Sequence, residues 1–246
     1  MKIMIQNDFD DLSKAVAEYI VQYVKQKPNA LLCFPSGESP TGVLRHFVQA
    51  VQAGQVDVSQ CTFIGLDEWV GLDESSDGSC RYFLQQNLFG PLNLAPEKAI
   101  VFNGKAADLD QECARVNNFI QQHGPLDIML VGIGLNGHIG LNEPGTSFDL
   151  YAHHAPLAEM TITVGQKYFK QPTPLTNGIT LGLKHFQEAH VPILIASGGK
   201  KAPIIAQSLE GEVTNQVPAS ILQTLPEALV YLDRAAASEL QFATAK

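Results

Sequence analysis

The chain has no apolar run long enough to span a bilayer, no block of lysine or arginine, and only four cysteines and one tryptophan in 246 residues. The first absence argues against a helical membrane protein, and no secretory leader pattern accompanies Lys2-Ile-Met-Ile. The second argues against a nucleic-acid partner, because the net charge is −9 and no basic stripe offsets it. Small anionic ligands stay open, since a site needs local positive charge rather than a basic protein. Cys33, Cys61, Cys80 and Cys113 show neither CxxC spacing nor a scaffold pattern, so they read as reduced structural thiols of a cytoplasmic protein. The histidines are also poorly placed for a metal. His153 and His154 are adjacent, and the spacing from His138 to Glu143 is not HExxH, so no metal is expected. Internal repeats, low-complexity tracts and Pro/Ser-rich linkers are missing too.

What is present is an alternation of strand and helix signals from the start. Lys2 to Gln6 reads as a strand, followed by a helix that Asp8 or Asp10 can cap, with Leu12, Val16, Ile20 and Val24 on one face. Further strands are expected at Ala30–Phe34, Cys61–Leu66, Ile100–Phe102, Leu126–Val131, Val191–Ala196 and Leu229–Leu232. Helices are expected after Thr41, around Arg81–Leu88, over 108–123 and after Ser197. Between 145 and about 177 the pattern loosens, with a short strand expected at Met160–Val164. A stretch this long without clear elements reads as a lid or binding loop. The alternation predicts one α/β domain over residues 1–246, with a mainly parallel sheet covered by helices on both faces.

Four strand-end loops carry the candidate chemistry. Gly132-Ile-Gly-Leu-Asn136-Gly137-His138-Ile-Gly-Leu-Asn142-Glu143-Pro144 follows a buried strand, and open α/β sheets keep ligands at such carboxyl ends. The alternative is a glycine-rich turn whose His138 caps local carbonyls. Pro35-Ser36-Gly37-Glu38-Ser39-Pro40-Thr41 gathers hydroxyls and N–H groups at a helix start, which suits phosphate, although GK[ST] is missing and Glu38 would have to turn away. Its plainer reading is a helix cap at Ser39 or Thr41. Ser197-Gly-Gly-Lys200-Lys201 sets two cations against a helix dipole, which a bound anion would explain and a solvated pair would equally fit. Asp67-Glu68-Trp69 places two carboxylates in an apolar setting. Strand alternation lets only one face a cleft, and the sequence leaves open which.

Together these motifs resemble the glucosamine-6-phosphate deaminase/6-phosphogluconolactonase superfamily over nearly the whole chain. Leu66-Asp67-Glu68-Trp69 and Asn136-Gly-His-Ile-Gly-Leu-Asn-Glu-Pro-Gly145 look most like its galactosamine-6-phosphate deaminase/isomerases. The resemblance implies a Rossmann-like fold and conversion of galactosamine 6-phosphate to tagatose 6-phosphate and ammonia, with glucosamine 6-phosphate giving fructose 6-phosphate as the alternative. Lactone hydrolysis and a non-catalytic sugar-phosphate sensor are the more distant readings. It also implies that Asp67 moves a proton between C2 and C1, that His138 opens the sugar ring, and that Glu143 orients His138. Ser36, Gly37, Ser39, Gly137 and Lys201 match substrate-holding positions, and Lys167 lies near where the family keeps an arginine. No cofactor is implied, because no hydride carrier or electron sink enters. Asn136 departs from the aspartate usual in glucosamine enzymes, and as an amide it can orient His138 without adding charge. Family members range from single subunits to hexamers, so a homo-oligomer stays open.

Overall fold

A computed structural model describes residues 1–241. Strand β1 (Lys2–Gln6) leads into helix α1 (Phe9–Gln26), which Asp8 caps by accepting from the Asp10 and Asp11 N–H groups, both at 2.9 Å. Leu12, Val16, Ile20 and Val24 recur every four residues and are all buried, so one stripe of α1 faces the sheet. Then come β2 (Leu31–Phe34), α2 (Thr41–Gln52), β3 (Thr62–Gly65), β4 (Asp67–Trp69), α3 (Cys80–Leu84), β5 (Ala99–Ile100), α4 (Leu109–His123) and β6 (Ile128–Val131). The second half contains β7 (His153–Pro156), α5 (Glu159–Gly165), β8 (Asn177–Thr180), α6 (Leu183–Glu188), β9 (Val191–Ala196), α7 (Ala202–Glu210) and β10 (Leu229–Asp233).

Seven strands form one sheet in the order β1-β10-β9-β6-β2-β3-β5, and every neighbouring pair is parallel. Alternate residues of each strand feed different cores. Leu32, Phe34, Phe63 and Leu130 pack with α1 and α2, whereas Leu31, Cys33, Ile64 and Val131 pack with α4, α6 and α7. Both faces are therefore buried, which is why these strands are continuous apolar runs. From β2 the chain builds outward through β3 to β5. From β6 it builds the other way through β9 to β10, which pairs with the first strand, β1, at the edge. The β2/β6 boundary is thus a topological switch point, and the loops beyond it diverge to leave a crevice.

The expected single α/β domain with helices on both faces is what forms, but several local expectations change. The third strand was expected to reach Leu66. The chain instead leaves the large sheet there, and β4 joins a separate antiparallel sheet ordered β4-β8-β7. The helix expected over Arg81–Leu88 is α3 continued by a π-helical turn, Gln85–Phe89. The strand expected at Ile100–Phe102 is the two-residue β5. Most of the expected loop from 145 to 177 is ordered as β7, α5 and a 3₁₀ turn, Gln166–Tyr168. Met160–Val164, expected as a strand, lies inside α5. As a helix it places Thr161 and Gly165 on one inward face, and a Cβ at Gly165 would approach the Trp69 ring at 3.2 Å. That packing overrides the β-branched composition, which favours a strand only as a weak local preference.

Candidate active site

The crevice at the switch point is a cavity of about 190 Å³, walled by the loops after β2 and β6, by β4, by α5 with its following turn, and by Lys201. Of the ten residues singled out from the sequence, Ser36, Gly37, Ser39, Asp67, Asn136, His138, Lys167 and Lys201 line it. Glu143 sits behind His138, and Gly137 lies off the wall. A Cβ at Gly137 would meet Val217 and Ile204, so its φ of +85° serves the turn and its packing rather than a ligand face.

Alternation separates the two adjacent acids. Asp67 faces the cavity, whereas Glu68 turns away and is 1% exposed. Glu68 accepts hydrogen bonds from the Ser79 hydroxyl (2.7 Å) and from the Cys80, Arg81 and Trp69 N–H groups (3.0, 2.9 and 2.9 Å). It is thus a fully satisfied structural carboxylate fastening the start of α3. Asp67 has no such set, and its Oδ1 is buried without a partner. Burial pushes its carboxyl up to about 7; contact with Cys80 opposes this, and the nearby Glu68 charge adds to it. A carboxyl poised near neutrality at a cavity wall is suited to taking and returning a proton.

Also on the wall, the His138 ring packs against Gly134, where a Cβ would lie 2.5 Å from it, so only glycine fits. His138 Nδ1 is 3.2 Å from Thr161 Oγ1 and 3.5 Å from Glu143 Oε2, leaving Nε2 as the ring nitrogen free for a ligand. Glu143 is buried, which alone would raise its carboxyl. Hydrogen bonds and charge from His138, with Thr161 and Asn136 helping, outweigh that and hold it down at about 2. Asn136 does not orient the His138 ring as its amide was expected to do. Its Nδ2 donates to Glu143 at 2.9 Å, and its Oδ1 accepts from the His138 backbone N–H at 3.2 Å. An aspartate with the same geometry would press two carboxylates together, whereas the amide adds one hydrogen bond to the stabilisation that His138 chiefly supplies to the Glu143 anion.

The third corner is cationic. Helix α2 starts at Pro40 with no side-chain cap, so neither Ser39 nor Thr41 fills the capping role that was the alternative for this loop. Thr41 instead donates its hydroxyl to the Gly37 carbonyl at 3.0 Å. Gly37 has φ +96°, and Tyr168 packs so closely that a Cβ would lie 2.9 Å from its hydroxyl. Lys201 donates to the Ile133 carbonyl; burial, reinforced by the Lys167 charge, lowers its ammonium to about 8 despite Glu38. Lys200 points outward and is exposed. The Asp233 carboxylate accepts from the Gly198 N–H at 2.9 and 3.0 Å and so pins the loop that delivers Lys201. Lys167 reaches Glu38 at 2.7 Å. The cavity thus combines a buried carboxyl poised near neutrality, an anion-backed histidine and a cationic helix-start corner. Thr161, Cys80 and Tyr168 were not singled out from the sequence and also line it. Thr161 gave no signal there because it lay in an expected strand.

The chain and its fold have known relatives. The family described as glucosamine-6-phosphate isomerases/6-phosphogluconolactonase matches residues 7–231. The chain belongs to this family. It is 38% identical to a glucosamine-6-phosphate deaminase of Lachnoclostridium phytofermentans, covering 94% of this chain and 98% of that one. It is 35% identical to a glucosamine-6-phosphate deaminase of Thermoanaerobacter pseudethanolicus, covering 97% and 94%. A solved monomeric glucosamine-6-phosphate deaminase superimposes with a TM-score of 0.93 at 32% identity, over 97% of this chain and all of that one. The 6-phosphogluconolactonase of Trypanosoma brucei shares the fold, with a TM-score of 0.78 at 16% identity over 97% and 98%.

Proposed function

We propose that this member of the family is a glucosamine-6-phosphate deaminase, releasing fructose 6-phosphate and ammonia from glucosamine 6-phosphate and water. The carrying observation is the near-full-length likeness, at 32–38% identity, to three proteins described by that activity. The galactosamine reading rested on the wording of two motifs, and these relatives weigh for the glucosamine alternative instead.

In this reading the substrate phosphate sits against the start of α2, Ser36, Ser39, Lys201 and Lys167, where unpaired N–H groups, hydroxyls and ammonium groups all favour an anion. His138 passes a proton from O1 to O5 through Nε2 and opens the ring. Glu143, ionised and fixed by Asn136 and Thr161, steadies the imidazolium that forms. Asp67 removes the C2 proton and returns it to C1 while one proton of the amino group passes to O1, so C1 becomes a CH2OH carbon and the C–N bond at C2 becomes an iminium. Water adds to C2 and ammonia leaves, giving the ketose. Each step moves protons or water without net oxidation, so this chain's own acids and bases suffice and no cofactor is invoked.

The test is to incubate purified protein separately with glucosamine 6-phosphate and galactosamine 6-phosphate and to assay ammonia. Glucosamine 6-phosphate should be preferred by about tenfold or more in kcat/KM, the scale of one well-placed hydrogen bond. Ammonia from the galacto sugar alone would reverse the substrate assignment, and none from either sugar would remove the deaminase reading.

A further inference from the structure

The cationic corner contains an acid that its proposed ligand does not need. Glu38 lies in the loop that leads into α2 and lines the cavity beside Ser36 and Ser39. Its Oε2 is 2.7 Å from Lys167 Nζ, 129 residues away in the sequence, on the 3₁₀ turn after α5. The next residue, Tyr168, packs on Gly37, so the turn meets this loop at two adjacent points. The Glu38 side chain is 74% exposed, whereas its neighbours Ser36, Gly37 and Ser39 are half-buried.

The charges at this corner are unbalanced for a phosphate ester. Lys167 and Lys201 supply two positive charges, and Glu38 removes one of them. A dianion arriving with Glu38 still paired would meet only one net positive charge, in a partly desolvated site. Turned into solvent, the same carboxylate is hydrated and screened, and Lys167 is released. An exposed ion pair of this kind is weak, so exchanging its carboxylate for a phosphate is feasible at small cost.

We propose that Glu38 is a displaceable counter-ion for the phosphate subsite: it holds Lys167 in the empty enzyme and is replaced there by the substrate phosphate. The proposal rests on the phosphate placement given under Proposed function. Its consequence is low occupancy of the subsite by small anions. Every anion must displace Glu38, and a small anion such as free phosphate has no sugar contacts to offset that cost. Glu38 therefore leaves free phosphate and buffer anions weakly bound while a complete sugar phosphate still binds through its sugar contacts.

The test is a double-mutant cycle read by the binding of inorganic phosphate, measured by calorimetry on the parent, Glu38→Gln, Lys167→Ala and the double variant. Glu38→Gln should tighten phosphate by about three- to fivefold, the range open to an exposed ion pair. In the Lys167→Ala background the same change should have less than half that effect on log Kd, because Glu38 then has no cation to hold. Unchanged or weaker binding in Glu38→Gln overturns the proposal. An equal or larger effect without Lys167 also overturns it, because Glu38 would then act by plain repulsion. If phosphate binds none of the four proteins, the phosphate placement itself fails and takes this proposal with it. Normal binding with no coupling rejects the counter-ion alone.

Discussion

Asp67→Asn should separate the chemistry of this site from its stability, in opposite directions. Asp67 carries a carboxyl pushed up to about 7, chiefly by burial, against an ordinary value of 3.8. Between those values the unfolded chain has already lost its proton while the folded chain keeps it. The folded state then binds more protons than the unfolded one, so stability falls as pH rises. The contribution is fully present below about pH 4 and lost as pH passes 7. The gap between the two values corresponds to roughly 4 kcal/mol as a ceiling, at about 1.4 kcal/mol per tenfold change. Water entering the open side of the cavity reduces this, so an observed effect of about 2 kcal/mol is expected. Asparagine has nearly the same shape and cannot ionise. Its stability relative to the parent should therefore grow by about 2 kcal/mol between pH 4 and pH 8, in urea unfolding with the slope m unchanged. Turnover should fall about 10²-fold or more, the scale of a lost general base, while phosphate binding stays within about tenfold. A stability difference flat from pH 4 to 8 would refute the burial argument. Turnover above about one per cent of the parent would refute the base assignment.

Two further outcomes follow from the same geometry. Glu68→Gln should destabilise the fold by about 2–3 kcal/mol, because one amide oxygen must replace two carboxylate oxygens that hold four donors; its specific activity below the unfolding midpoint should stay near the parent's, and inactivity without destabilisation would make Glu68 the reacting acid. In the parent, kcat/KM should rise with an apparent pKa near 7 as Asp67 ionises and fall near 8 as Lys201 loses its charge; Lys201→Ala should raise KM by about tenfold or more and abolish the alkaline limb, whereas a persistent limb near 8 would assign it to another group.

The repeating strand–helix grammar, the buried β2 and β6 and the glycine-rich loop ending at Glu143 were legible in the sequence, because they depend on short-range periodicity and on residues near each other in the chain. The same local information suggested a helix-start anion corner and an acid at Asp67 or Glu68. The residue pattern alone could not choose between those acids, although the family resemblance pointed to Asp67. That choice depends on β4 leaving the large sheet to pair with β8, which turns Glu68 toward Ser79 and the first N–H groups of α3 and leaves Asp67 on the cavity wall. It also misread Met160–Val164, where packing against Trp69 outweighs β-branched propensity and places Thr161 beside His138. Asn136 was recognised from its motif, yet its partner is Glu143 rather than the imidazole, a matter of how the loop folds back on itself. The sequence by itself thus determined the strands of the large sheet with most of their covering helices, the family resemblance and most residues of the cavity. Only the tertiary structure decided which carboxylate meets the cavity, what fixes His138, and that Glu38 and Lys167, 129 residues apart, meet across its rim. Those outcomes depend on long-range packing, because the polarity and charge state of each group are set by neighbours that chain order does not reveal.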